Sequence, residues 1–100
     1  MPEASQIEIR DDSVVAVTPR QISCGLGTEA AILQLDSGKY FSLNPVGARV
    51  WQLLACPKSV SELLATLLAE YEVPADRCRA DLLALLQKLH AAGLVEVRAA

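Results

Sequence analysis

The amino-acid sequence predicts an α+β domain in which short strands come first and three helices follow. Three observations carry that reading. Apolar residues alternate with a period of two between residues 29 and 43, and one glycine-bearing turn divides the stretch. From residue 44 the period lengthens to about 3.6. Each helical stretch opens on a start signal: Asn44-Pro45, then Ser59-Val60-Ser61-Glu62, then Pro74 with Asp76.

The elements follow in order. Residues 1–13 are polar and read as a frayed tail, in which Ile7 and Ile9 alternate in the manner of an edge strand; residues 14–97 form the single domain. Val14-Val15-Ala16-Val17 is apolar, and Pro19 stops regular pairing after it. Gln21-Ile22-Ser23-Cys24 is a short strand ended by Gly25-Leu26-Gly27. Glu29 to Leu35 is a stronger one, with Ala31, Leu33 and Leu35 on one face and Ile32 and Gln34 on the other. Asp36-Ser37-Gly38 supplies a three-residue hairpin loop, with Gly38 at the position that needs φ > 0. Lys39 to Leu43 returns as the partner strand, Lys39, Phe41 and Leu43 on one face and Tyr40 and Ser42 on the other.

Asn44 caps the first helix through its side chain, and Pro45 fits the first helical position, where no amide hydrogen is needed. Val46, Val50, Leu53 and Leu54, with Trp51 beside them, form its apolar face; it ends near Ala55, and Pro57 enforces the break. Ser59 and Glu62 make a capping box for the second helix, whose Leu63, Leu64, Leu67 and Leu68 form a stripe ending around Glu70. The third helix runs from Pro74 to about Ala92 and closes on Gly93 as a left-handed cap. Its Cys78, Leu82, Leu85, Leu86 and Leu89 face the core, and Leu94 to Val97 forms a short strand after it. Helices two and three resemble a helix-turn-helix, and strands added to such a unit make the fold winged-helix-like.

Composition excludes several functions. With 52% hydrophobic residues the chain is not disordered over most of its length. No apolar run approaches the roughly 20 residues of a membrane span, and no secretory signal opens the sequence, so the expected location is cytoplasmic, with no membrane partner. Cys24, Cys56 and Cys78 lack paired metal-ligand spacing and His90 is the sole histidine, so no metal and no cofactor is expected. The cysteines read as small hydrophobes in a reducing compartment, a reactive thiol staying open. A net charge of -3 argues against nucleic acid as the main partner.

Catalysis finds no support. His90 has no nucleophile at a telling spacing, and the carboxylates are explained by solvation and helix starts. Gly25-Leu26-Gly27 is too short to cradle a phosphate. The chain reads as no enzyme. Two binding readings stay open. A small winged-helix DNA-binding regulator would use Arg77, Arg79 and Lys88 of the third helix, diluted by Asp76 and Asp81. Alternatively, an unpaired edge at Lys39–Leu43 would accept an extended peptide by strand addition, with Tyr40 suited to a recognition groove. The competing reading has that edge covered by Val14–Val17, by the C-terminal strand, or by a second copy in a homodimer.

The stretch from Ala31 to Asn44, then Val46 to Trp51, Ser59-Val60-Ser61-Glu62-Leu63, Asp81-Leu82 through Leu89 and Gly93-Leu94-Val95 resembles the PqqD-like family of recognition elements for ribosomally made, modified peptides. The resemblance covers about residues 14–97. It implies a three-stranded antiparallel sheet followed by three helices, and capture of a precursor's leader region as an added strand. Carried onto this chain, the binding strand is Lys39, Tyr40, Phe41, Ser42 and Leu43, and the groove helix is residues 74–92. Arg77, Asp81, Leu82 and Leu85 are candidates on that helix, chosen by helical spacing. The version closest in character is the stand-alone element of lasso-peptide clusters, which presents the leader to a separate leader peptidase; the alternative is the peptide chaperone of the pyrroloquinoline quinone pathway. Strand addition makes Phe41→Pro the substitution expected to weaken leader binding.

Overall fold

The computed structural model describes residues 9–98. Four strands come first: β1 (Val14–Val17), β2 (Gln21–Leu26), β3 (Glu29–Gln34) and β4 (Tyr40–Leu43). Helix α1 (Pro45–Leu53), the short strand β5 (Lys58–Ser59), α2 (Val60–Glu70), α3 (Ala75–Ala91) and β6 (Val95–Arg98) follow. The expected three-stranded antiparallel sheet is β2-β3-β4, a meander in sequence order. A second sheet, β5-β1-β6, is also antiparallel and joins segments far apart in the chain.

The helix boundaries have local causes. Asn44 Oδ1 accepts the Gly47 N–H at 2.8 Å with Pro45 inside the first turn, so α1 starts where the cap dictates. Ser59 Oγ accepts the Glu62 N–H at 3.1 Å and Glu62 Oε1 accepts the Ser59 N–H at 2.8 Å, completing the capping box of α2. Gly93, at φ +77°, takes the left-handed conformation that ends α3 and turns the chain into β6. The core lies between the sheets and helices. Val15, Ile32, Val50, Leu63, Leu67, Leu86, Leu89 and Leu94 are buried at its centre.

Four expectations need correction. Residues 9–13, assigned to a frayed tail, are packed: Ile9 is buried, the Ser13 carbonyl accepts the Val60 N–H at 3.0 Å, and Asp11 pairs with Arg79. The polar look of the segment hid these contacts with α2 and α3; Ile7 lies outside the described residues. Strand β2 runs two residues past Cys24, because Gly27 and Thr28 suffice to turn it into β3. Val46 is 42% exposed and off the core, although Val50 and Leu54 are buried.

The hairpin is the fourth. Its loop has four residues, Leu35 to Gly38, instead of three, and the strand begins at Tyr40. A three-residue loop would pair Leu35 with Lys39 and set Phe41 beside Leu33. The observed register pairs Phe41 with Ile32 and Leu43 with Ala30, so Phe41 and Leu43 share the face of the buried Ile32. A one-residue slip would have reversed that. The turn is held from inside by the buried Gln34, whose Oε1 accepts the Asp36 N–H at 2.7 Å and the Ser37 N–H at 3.0 Å.

Candidate functional site

Strand β4 stands at the edge of its sheet. Among the described residues neither β1 nor β6 covers it; those strands pair with each other instead. Which backbone groups face outward follows from the ladder. The Gln34 N–H donates to the Lys39 carbonyl at 2.8 Å. In an antiparallel pair the bonded residues alternate. Ile32–Phe41 and Ala30–Leu43 are therefore the bonded pairs, and Phe41 and Leu43 turn their N–H and C=O toward β3. The other side of β3 agrees: the Leu35 N–H donates to Arg20 of the β2 side at 3.1 Å, the parity expected of a central strand. Tyr40 and Ser42 are left with both backbone groups pointing away from the sheet. Phe41 is thus not the residue whose amide a guest would meet.

Beside this edge runs a groove of about 310 Å³. Its β4 wall is Ser42, Leu43 and Asn44; its α3 wall is Cys78, Asp81, Leu82, Leu85 and Lys88. Val46, Gly47 and Val50 of α1 and Leu67 of α2 complete it. The lining is mostly apolar, with Asp81 and Lys88 as its charged members. Gly47 lets α1 close against the end of β4: a Cβ there would stand 3.3 Å from Asn44 Oδ1 and 3.4 Å from the Leu43 side chain.

Of the residues singled out from the sequence, Ser42, Leu43, Asp81, Leu82 and Leu85 come together in the groove. Tyr40 projects from the opposite face of the sheet and is 69% exposed. Phe41 packs partly against the core, and Lys39 lies just before the strand. Arg77 is not a lining residue: it sits in the first turn of α3, one turn beyond Asp81, and reaches it at 3.9 Å. The sequence reading missed Asn44, Val46, Gly47, Val50, Leu67, Cys78 and Lys88. Gly47 carried a signal, being an isolated glycine inside a helical pattern. Val46 and Val50 merged into what looked like one core stripe.

The charges around the site are mostly engaged. Arg49 of α1 holds Glu70 at the end of α2, its Nη2 2.7 Å from Oε2, and hydrogen bonding to the guanidinium keeps the Glu70 carboxyl below its ordinary range. Arg79 is tied to Asp11 and Arg77 to Asp81. Helix α3 therefore offers no cluster of unengaged cations of the kind a recognition helix needs. Burial, with a smaller contribution from the Asp81 charge, pushes the Cys78 thiol up, which keeps it protonated at neutral pH. Among the described residues no group of acidic, histidine and cysteine side chains is placed to hold a metal ion, and no helix is long and apolar enough to cross a membrane.

Fold and site together define a class: a small α+β domain of winged-helix character that offers an open strand edge beside a mainly apolar groove. The sequence matches the family described as Coenzyme PQQ synthesis protein D (PqqD) over residues 29–95, and the chain belongs to that family. Two solved structures are similar. One is TbiB1 in complex with the TbiA(beta) leader peptide, 32% identical with a TM-score of 0.76, covering 81% of this chain and 94% of that one. The other is a lasso peptide synthetase B1 complexed with the leader peptide, 25% identical with a TM-score of 0.70, covering 82% and 96%. No curated protein matches the sequence.

Proposed function

We propose that this protein is a non-catalytic adaptor that captures the leader region of a ribosomally made precursor peptide by strand addition to β4 and presents it to a separate processing enzyme, a leader peptidase of lasso-peptide maturation. One observation carries the reading: the outward backbone groups of Tyr40 and Ser42 adjoin an apolar groove between β4 and α3. An extended guest bonded to those groups would place alternate side chains over Leu43, Leu82 and Leu85. Main-chain bonds, each worth a net of about 0.5–1.5 kcal/mol, would supply affinity without sequence preference. The groove would supply selectivity.

Both similar structures bear leader peptides, which supports this reading over the quinone pathway that gives the family its description. Three unpaired thiols fit a reducing cytoplasm. The test is a fluorescence-polarisation titration with the labelled leader of a precursor gene adjoining this chain's own. Saturable binding, with the processing enzyme then cleaving the bound precursor faster than the free one, is expected. Absence of saturable binding by a folded protein would refute the reading. Light scattering of the free protein distinguishes an edge open to a guest from one sealed by a second copy.

A further inference from the structure

The groove has a positive end, and that end bears on which guest fits and which way it lies. Gln34, which pairs with Lys39, is approached by Gly93: a Cβ on that glycine would stand 3.4 Å from Gln34 Nε2. The C-terminal end of α3 therefore lies at the hairpin end of β4, and the helix's first turns lie toward Leu43. Lys88 is the last residue of α3 to line the groove, which sets it toward that end of the helix. Lys39, by alternation with Phe41 and Leu43, belongs to the same face of the strand. Among the described residues neither lysine has a carboxylate within ion-pair distance, whereas the other charges nearby are engaged: Asp36 with Arg20, and Asp81 with Arg77. Asp81 stands seven residues before Lys88 on the same side of the helix, about 10 Å away along its axis. In a chain of net charge -3, an unpaired and exposed cation on the wall of a mostly apolar groove is a local inversion of sign. A last-turn lysine favours the helix dipole, but that role does not require it to face the groove.

We propose that Lys88, assisted by Lys39, is a specificity-determining residue for an Asp or Glu side chain of the guest peptide, and that this contact fixes the register and direction of the added strand. The inference rests on the leader-binding reading and names the chemistry of one guest position. An acidic residue on the helix-facing side of the guest, at the hairpin end, meets Lys88; a basic residue there is repelled.

The experiment uses the full chain and the labelled leader of the adjoining precursor gene. Each helix-facing position of the leader is changed in turn to Glu, Gln and Lys. One position is expected at which Glu binds about threefold or more tightly than Gln, and Gln more tightly than Lys. At that position Lys88→Gln removes the preference, Lys88→Arg keeps it and Lys88→Glu inverts it. Lys39→Gln weakens the preference by a smaller factor, and added salt reduces the Glu advantage. Binding of all leaders with equal affinity at every position, unchanged in the Lys88 variants while circular dichroism reports an intact fold, overturns the inference and leaves leader binding standing. Absence of saturable binding by the parent leader overturns both.

Discussion

Asn44 and Gly47 meet twice through one oxygen. Asn44 Oδ1 accepts the Gly47 N–H at 2.8 Å, and the same atom would lie 3.3 Å from a Cβ added at Gly47. The cap that starts α1 thereby crowds any side chain at its third residue, and with glycine there α1 can approach the end of β4 to wall the groove. Asn44→Ala is expected to cost about 1 kcal/mol. Gly47→Ala should fail to give the gain of roughly 1 kcal/mol that replacing glycine in an open helix brings. In the Asn44→Ala background Gly47→Ala should become stabilising. Urea unfolding of the four proteins measures the coupling; additive effects would show that the contact is immaterial.

Most of what could be read from the sequence was local. Asn44-Pro45, Ser59 with Glu62, and Gly93 act on their immediate neighbours, so their residue types announce the helix ends. Val14–Val17 reads as an apolar run, yet its partners lie at residues 58–59 and 95–98, and no short-range pattern records such pairings. The groove was half legible. Leu82 and Leu85 follow from helical spacing, whereas a stripe such as Val46 and Val50 does not show where packing leaves a gap. The face of Phe41 depended on one residue of loop length, which Asp36-Ser37-Gly38 does not decide.

The thiols should separate into two groups. Cys24 and Cys56 are exposed, while Cys78 is buried at the groove and its thiol is held above the ordinary range, chiefly by desolvation. An Ellman titration at neutral pH should show two fast equivalents and one slow. A bound guest should slow only Cys78. Asp81→Asn should speed Cys78 only slightly, because burial is the larger cause. Three equally fast thiols would contradict the closed packing around Cys78.

Acid should release the clamp between α1 and α2. The Glu70 carboxyl lies below its unfolded value because Arg49 hydrogen-bonds its charged form. A depressed carboxyl stabilises the fold above the unfolded pKa, and the contribution disappears as pH falls through the folded one. Glu70→Gln should therefore lower Tm at neutral pH, and the difference from the parent should close as pH drops below about 4. A difference that persists at lower pH would mean that packing, not charge, holds the two helices.

Proline substitutions along β4 should divide by parity. The Phe41 N–H belongs to the β3 ladder, so Phe41→Pro removes a bond inside the sheet and should unfold the hairpin; loss of binding in that variant says nothing about the guest. Ser42 turns its N–H outward, where proline is tolerated on an edge strand. Ser42→Pro should keep the circular dichroism spectrum while removing a donor for the guest and placing a ring in its path. Leader affinity is expected to fall by about tenfold or more, against a net bond worth roughly 0.5–1.5 kcal/mol plus the steric term. Ser42→Ala, which keeps the amide, should bind nearly as the parent does. If Ser42→Pro folds and retains full leader affinity in fluorescence polarisation, the guest does not pair with β4. The docking surface would then be the groove alone, without an added strand.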